Sequence, residues 1–139
     1  LYEGGLRVPL LVRWPGIARV GACAEPVWLT DLFPTLLAAA GKPIAAPDGL
    51  DLGPLLRNPA ARLPRSSFCW HYPHYYATTT PVSAIRVGSW KLLEYFETGR
   101  VELYDVAADP AEARDRALHA PTRVAALAQQ LAKEVVVGV

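Results

Sequence analysis

Between Arg7 and Trp14 the sequence reads R-V-P-L-L-V-R-W, and this run constrains the fold more than any other stretch. Val8, Leu10 and Val12 fall on one side of an extended chain. Leu11 is apolar on the other side, with Arg7 and Arg13 at the flanks. A strand apolar on both faces sits inside a sheet that is covered on both sides. Pro9, near its start, removes only one ladder donor, and Pro15-Gly16 ends the run as a turn. No second strand of this kind follows nearby, so its sheet partners are expected from sequence outside this chain. The chain holds no methionine, even at position 1, and opens with L-Y-E-G-G directly before the run. Both features read as a piece of a longer polypeptide.

A helix is expected next. Thr30 or Asp31 can cap it, since a side-chain oxygen there accepts a free first-turn N–H, and Pro34 falls where its missing donor costs little. Leu32, Leu36, Leu37 and Ala40 form its apolar stripe, and Gly41 supplies the left-handed stop. After the proline-rich stretch 42–47, Asp48-Gly49 makes a turn, and Asp51 caps a short helix carrying Leu52, Leu55 and Leu56.

The stretch Asn58 to Arg65 is polar, carries prolines and lacks apolar periodicity, which marks a boundary. Beyond it the period changes to two. Phe68 and Trp70 alternate with Cys69 and His71, and Val82–Arg86, Trp90–Phe96 and Val101–Tyr104 follow as short strands. Gly88-Ser89 and Thr98-Gly99 suit the hairpin turns between them. Pro121 then opens a helix whose Val124, Leu127, Ala128, Leu131 and Val135 share one face. The expected architecture is an α/β fragment over residues 1–60, the tail of a larger mixed-sheet domain. An α+β subdomain over 61–139 follows, with a four-stranded antiparallel sheet and a C-terminal helix. The second piece is expected to fold alone, the first not.

Composition excludes several function classes. A formal charge of +1 gives no reason to expect nucleic acid or an anionic membrane as partner. No apolar run approaches the roughly 18 residues of a membrane span. Cys23 and Cys69 form no metal-binding motif and read as isolated thiols, with pairing left open.

Three ordered segments resemble the sulfatase family of the alkaline phosphatase superfamily. They are Y-E-G-G-L-R-V-P-L-L-V-R-W-P-G at 2–16; T-D-L-F-P-T-L-L-A-A-A-G at 30–41 with D-G-L-D-L at 48–52; and A-I-R-V-G-S-W-K-L-L-E-Y at 84–95 with E-L-Y-D-V-A-A-D-P-A-E at 102–112. The resemblance implies a parent enzyme that hydrolyses sulfate esters of sugars or aryl alcohols, with a formylglycine nucleophile and a calcium or magnesium ion. It also implies an upstream catalytic domain as this chain's partner. The formylglycine motif C/S-x-P-S-R does not occur here: Cys23 precedes Ala24-Glu25-Pro26, and Cys69 precedes Trp70-His71-Tyr72. No catalytic residue and no metal or cofactor ligand is therefore expected in this chain, which alone should be inactive. The alternatives are a phosphodiesterase or phosphonate hydrolase of the same superfamily, or a free-standing carbohydrate-binding module. Periplasm, lysosome and the secreted state all remain open.

The densest group of functional side chains is Trp70-His71-Tyr72-Pro73-His74-Tyr75-Tyr76. Aromatic rings stack on sugar faces, and imidazole and phenol groups hydrogen-bond hydroxyls or sulfate. Similar segments in some sulfatases approach the mouth of the active site. His74, His71 and Tyr75 are accordingly the candidate substrate-binding residues. Two imidazoles without a third ligand do not make a zinc site. Glu3 and Arg7 read as a buried ion pair or strand-end capping groups. Lys91 is expected to snorkel or to meet Glu102 across a hairpin. Asp105, Asp109 and Glu112 read as turn residues, since the glycine and closing glutamate of a calcium loop are missing.

Overall fold

The computed structural model describes residues 1–43 and 48–137. Its helices are α1 (Glu3–Leu6), α2 (Leu32–Ala39), α3 (Gly53–Arg57) and α4 (Pro121–Val137); its strands are β1 (Phe68–Tyr72), β2 (Val82–Val87), β3 (Trp90–Tyr95) and β4 (Val101–Asp105). Single 3-10 turns cover Leu29–Asp31 and Ala117–His119. The chain forms two compact units. One joins Leu1–Pro9 to the chain from Arg65 onward, and the other is Leu10–Pro64.

In the first unit the period-two pattern becomes an antiparallel meander in the order β1-β2-β3-β4. Gly88 and Gly99 take φ of +59° and +63° in the hairpin turns, a region that glycine enters without steric cost. Alternation sends Ile85, Leu92 and Leu103 to one face, where Leu127 and Leu131 of α4 cover them, with Val124, Ala128 and Val135 alongside. The helix stripe read from the sequence is therefore the packed one. The outer edge of β4 is blunted rather than left open: Leu103 donates its N–H to Asp115 Oδ1 at 3.0 Å and accepts the N–H of Arg116 at 2.7 Å.

The opposite face carries Val82, Ala84, Leu93, Tyr95 and Tyr104, together with Val106 and Leu1. Lys91 lies on this face too and is fully buried. Its ammonium reaches Glu3 Oε1 at 3.1 Å and Glu112 Oε1 at 3.0 Å, and lies 5.8 Å from the Trp70 ring centre. Arg86, its cross-strand neighbour, reaches the other oxygen of Glu3 at 3.3 Å. Two cations side by side on adjacent strands repel, and the Glu3 carboxylate between them removes that cost. Glu112 Oε2 also accepts the backbone N–H of Glu3 at 2.5 Å. Glu112 achieves this from φ +51°, the one positive φ outside glycine among the described residues.

A second buried carboxylate anchors the same N-terminal segment. Glu102 Oε2 accepts the hydroxyls of Tyr2 at 2.7 Å and Tyr104 at 3.0 Å, while Oε1 pairs with Arg100 at 2.7 Å. Burial, then the hydrogen bonds to Tyr95 and Glu102, pushes the Tyr2 phenol far above its usual range. Burial and Glu102 do the same to Tyr104.

Two expectations need correction here. Lys91 neither snorkels nor meets Glu102, because Glu102 stands opposite Leu93 and is taken up by tyrosines and Arg100. Glu3 is a buried ion-pair member, but its partners are Lys91 and Arg86, not Arg7. The run 7–14, whose sheet partners are expected from outside this chain, forms no strand by itself; Val8 is 73% and Leu11 91% exposed. A strand exists only when another backbone satisfies its N–H and C=O groups, and no described segment does so.

The second unit is organised by Asp31. Its fully buried carboxylate accepts the N–H of Trp28 at 2.6 Å and that of Leu50 at 2.8 Å. Thr35 donates its hydroxyl to the Asp31 carbonyl and accepts the N–H of Leu52, tying α2 to the turn before α3. Gly49 fits there because a Cβ would lie 2.2 Å from the Thr30 carbonyl oxygen. Asp51 accepts the N–H of Gly53, and Leu52, Leu55 and Leu63 form the small core. The expected stripe of α2 holds only in part: Pro34 and Thr35 are buried, whereas Leu36 and Phe33 are largely exposed. The polar anchors, rather than the leucines, select the inward face. From residue 44 to 47 the proline-rich stretch lies outside the described residues.

Removing one member of a buried ion cluster leaves its partners charged and dry, which costs about 3–5 kcal/mol. Lys91→Ala is expected to lose that much in urea unfolding. Lys91→Met combined with Glu3→Gln and Glu112→Gln should recover most of it. A loss below ~1 kcal/mol for Lys91→Ala would mean that the cluster does not hold the sheet face.

Candidate functional site

The aromatic segment leaves the sheet at the end of β1. Strand alternation sends His71 to the α4 side and Trp70 and Tyr72 to the side of Lys91. His71 stands in register with Ser83, and its Nδ1 lies 2.7 Å from the Ser83 hydroxyl. Its ring also leans on Phe96, with centres 5.6 Å apart. With Nδ1 engaged, Nε2 is the ring's remaining hydrogen-bonding atom. His74 sits past the strand end, edge-on to Tyr72 at 5.4 Å. The two imidazoles therefore pack on groups from opposite faces of the sheet, which is not how a shared metal would be held.

Beyond His74 the chain turns back through a two-bond ladder, Tyr76 N–H to the Thr79 carbonyl and Thr79 N–H to the Tyr76 carbonyl. Tyr75 and Tyr76 are 70% and 69% exposed. The Tyr75 hydroxyl donates to Glu97 Oε1 at 2.5 Å, linking the segment to the β3–β4 turn. That charged acceptor stabilises the protonated phenol and raises its pKa. His71, His74 and Tyr75 thus share one rim of the sheet, all exposed, each oriented by a different partner. The rim offers imidazole edges, a phenol and bare ring faces, a set that hydrogen-bonds and stacks but supplies no nucleophile.

Sequence reasoning missed the partners. Ser83 and Phe96 follow from strand register, and Glu97 from the reach of a turn, and neither is visible before pairing is known. The carboxylates Asp105, Asp109 and Glu112 do not converge. Asp105 accepts the N–H of Ala107, Asp109 that of Arg114, and Glu112 pairs with Lys91. Among the described residues no three His, Cys, Asp or Glu side chains come close enough to hold a metal ion. Cys23 and Cys69 are free thiols. The described residues thus do not fit a metal or formylglycine centre, and no chemical step is assigned to either within this chain.

Comparison with known proteins gives a consistent picture. The family described as N-sulphoglucosamine sulphohydrolase, C-terminal, matches residues 1–137. Arylsulfatase A of Homo sapiens is 41% identical over 112 residues, covering 79% of this chain and 21% of that protein. Arylsulfatase K of Gallus gallus is 33% identical over 135 residues, covering 91% of this chain and 25% of its own length. A solved structure described as a 2-O GAG sulfatase is 27% identical, with a TM-score of 0.65 over 76% of this chain and 24% of that one. The chain thus spans about a fifth to a quarter of the length of these relatives.

The rim geometry is open to direct test. Replacing the charged acceptor in Glu97→Gln should lower the titration midpoint of the Tyr75 phenol toward its ordinary value, followed by NMR of labelled tyrosine. An unmoved midpoint would show that the two side chains do not meet in solution.

Proposed function

Because this chain belongs to the sulfatase family as a C-terminal portion, matched over residues 1–137, we propose that it walls the substrate entrance of a sulfuric ester hydrolase. The observation that carries this reading is the exposed rim of His71, His74 and Tyr75 at one end of a rigid sheet. Sulfated sugars present hydroxyls, sulfate oxygens and apolar ring faces. Imidazole and phenol groups match the first two, and exposed rings match the third. His74 makes the substrate hydrogen bond, Tyr75 frames the rim from the Glu97 side, and His71 is held in one orientation by Ser83.

The nucleophile and the metal are contributed by the rest of the enzyme, so this chain alone does not turn over substrate. The apolar residues that it exposes support a covering partner domain. Leu10, Leu11 and Val12 follow the N-terminal segment, and Leu29, Phe33 and Leu36 lie on and beside α2. Exposed apolar clusters of this kind mark surfaces that another part of a protein covers. The residues 7–14 gain their strand partners from that domain. Of the relatives, one solved structure is described in complex with D-glucosamine-2-N,6-O-disulfate as its substrate. A sulfated sugar is accordingly the favoured substrate here over an aryl sulfate.

In the full-length enzyme, His74→Ala is expected to lower kcat/KM on sulfated sugars about tenfold, the scale of one lost hydrogen bond to a charged group. Ser83→Ala, which frees His71, should raise KM by a smaller factor. Unchanged kinetics for His74→Ala across several sulfated substrates would sink the assignment.

A further inference from the structure

The other end of the same sheet carries a groove that the entrance reading does not use. Trp90, at the start of β3, borders two adjoining cavities of about 320 and 690 Å³. Arg114, Arg116 and His119 line the first, and His119 and Arg123 line the second. The Arg123 guanidinium lies over the Trp90 ring, 4.1 Å from its centre.

Side chains of both charges line this groove. Asp105 and Asp109 also line it, but Asp105 accepts the N–H of Ala107 and Asp109 that of Arg114. Asp115, next to Arg116, is taken up by the N–H groups of Leu103 and Ala117. Each of these carboxylates accepts backbone N–H groups and keeps its charge, whereas Arg114, Arg116 and Arg123 form no ion pair among the described residues. The backbone presenting them is fixed, since Arg116 is hydrogen-bonded to the edge of β4 and Arg123 lies in the first turn of the long helix α4. Three planar guanidinium groups without carboxylate partners, spread along an open groove beside one indole, suit a ligand with several separated anionic groups.

We infer that this groove is an exosite for a sulfated or carboxylated oligosaccharide, distinct from the rim of His71, His74 and Tyr75. The arginines take sulfate or carboxylate oxygens, and the Arg123 guanidinium stacked on Trp90 offers a flat surface for a pyranose ring. A nucleic acid is the poorer fit. Its continuous phosphate track needs a continuous cationic one, and here Asp105 and Asp109 interrupt the basic residues. The choice of a saccharide among polyanions rests on the sulfatase reading; the anion groove itself rests on the arginines.

The test is titration calorimetry of the whole chain with an N- and O-sulfated glucosamine–uronate tetrasaccharide. An unsulfated neutral tetrasaccharide, inorganic sulfate and a DNA oligonucleotide of equal charge serve as comparisons. The sulfated tetrasaccharide should bind, weaken steeply with added salt, and shift the Trp90 indole N–H resonance. The combined variant Arg114→Gln, Arg116→Gln and Arg123→Gln should weaken it about tenfold or more, with an unchanged circular dichroism spectrum. Single substitutions give the same direction should the triple variant unfold. His71→Ala with His74→Ala should leave this binding in place, so that a failed entrance assignment and a failed exosite give different results. Equal affinity in the arginine variants, equal affinity for the neutral sugar, for inorganic sulfate or for DNA, or no binding at all would each overturn the exosite.

Discussion

The sheet of the larger unit depends on a lysine that cannot be buried without help from far along the chain. Lys91 has no exposed surface, and its charge is met by Glu3, 88 positions upstream, and by Glu112 beyond β4. A dry ammonium without such partners costs several kcal/mol. The sheet face is therefore tolerable only when the N-terminal segment is in place. The same logic explains why Glu112 is held at φ +51°. That conformation costs roughly 1–3 kcal/mol in a residue with a side chain, and the pairing with Lys91 together with the N–H of Glu3 offsets it. A chain beginning at residue 61 would keep every strand and yet leave Lys91 and Arg86 without the carboxylate between them.

Much of this fold was legible because it is local. The β2–β3 and β3–β4 hairpins each turn at a single glycine, and the α4 stripe follows directly from its spacing, so pattern alone placed β1 to β4 and α4. What escaped was set by partners rather than by pattern. The run Arg7 to Trp14 has strand composition but no described backbone to pair with. Phe33 and Leu36 have core composition, yet Asp31 and Thr35 turn the other side of α2 inward. The single turn over Glu3–Leu6 runs through Gly4-Gly5, where propensity argues against a helix. It stands because Glu112 holds the first N–H and Lys91 and Arg86 hold the side chain.

The candidate site shows the same division. Residue types, together with the resemblance of this segment to those of some sulfatases, singled out His71, His74 and Tyr75 as candidates. Their roles were not readable, because each depends on a partner chosen by register or by a turn: Ser83, Tyr72 and Glu97. Alternation along β1 does separate His71 from Tyr72, and so from His74, which is why two histidines three apart do not act as a pair here.

One hydrogen-bonded ladder carries both ends that matter. From the pair Val82–Tyr95 to the pair Val87–Trp90, β2 and β3 advance by five residues, about 17 Å at the antiparallel rise per residue. The segment of His71 and His74 leaves the sheet at the first end and Trp90 stands at the second, so the pairing sets the distance between these two points. A ladder of this kind fixes spacing where two loops would not. On the two assignments proposed above, an extended sulfated oligosaccharide is the kind of ligand for which a fixed separation between ring-stacking and anion-binding positions confers selectivity. By holding Glu112 against the sheet, the buried Lys91 ties the turn that follows β4 to the strands.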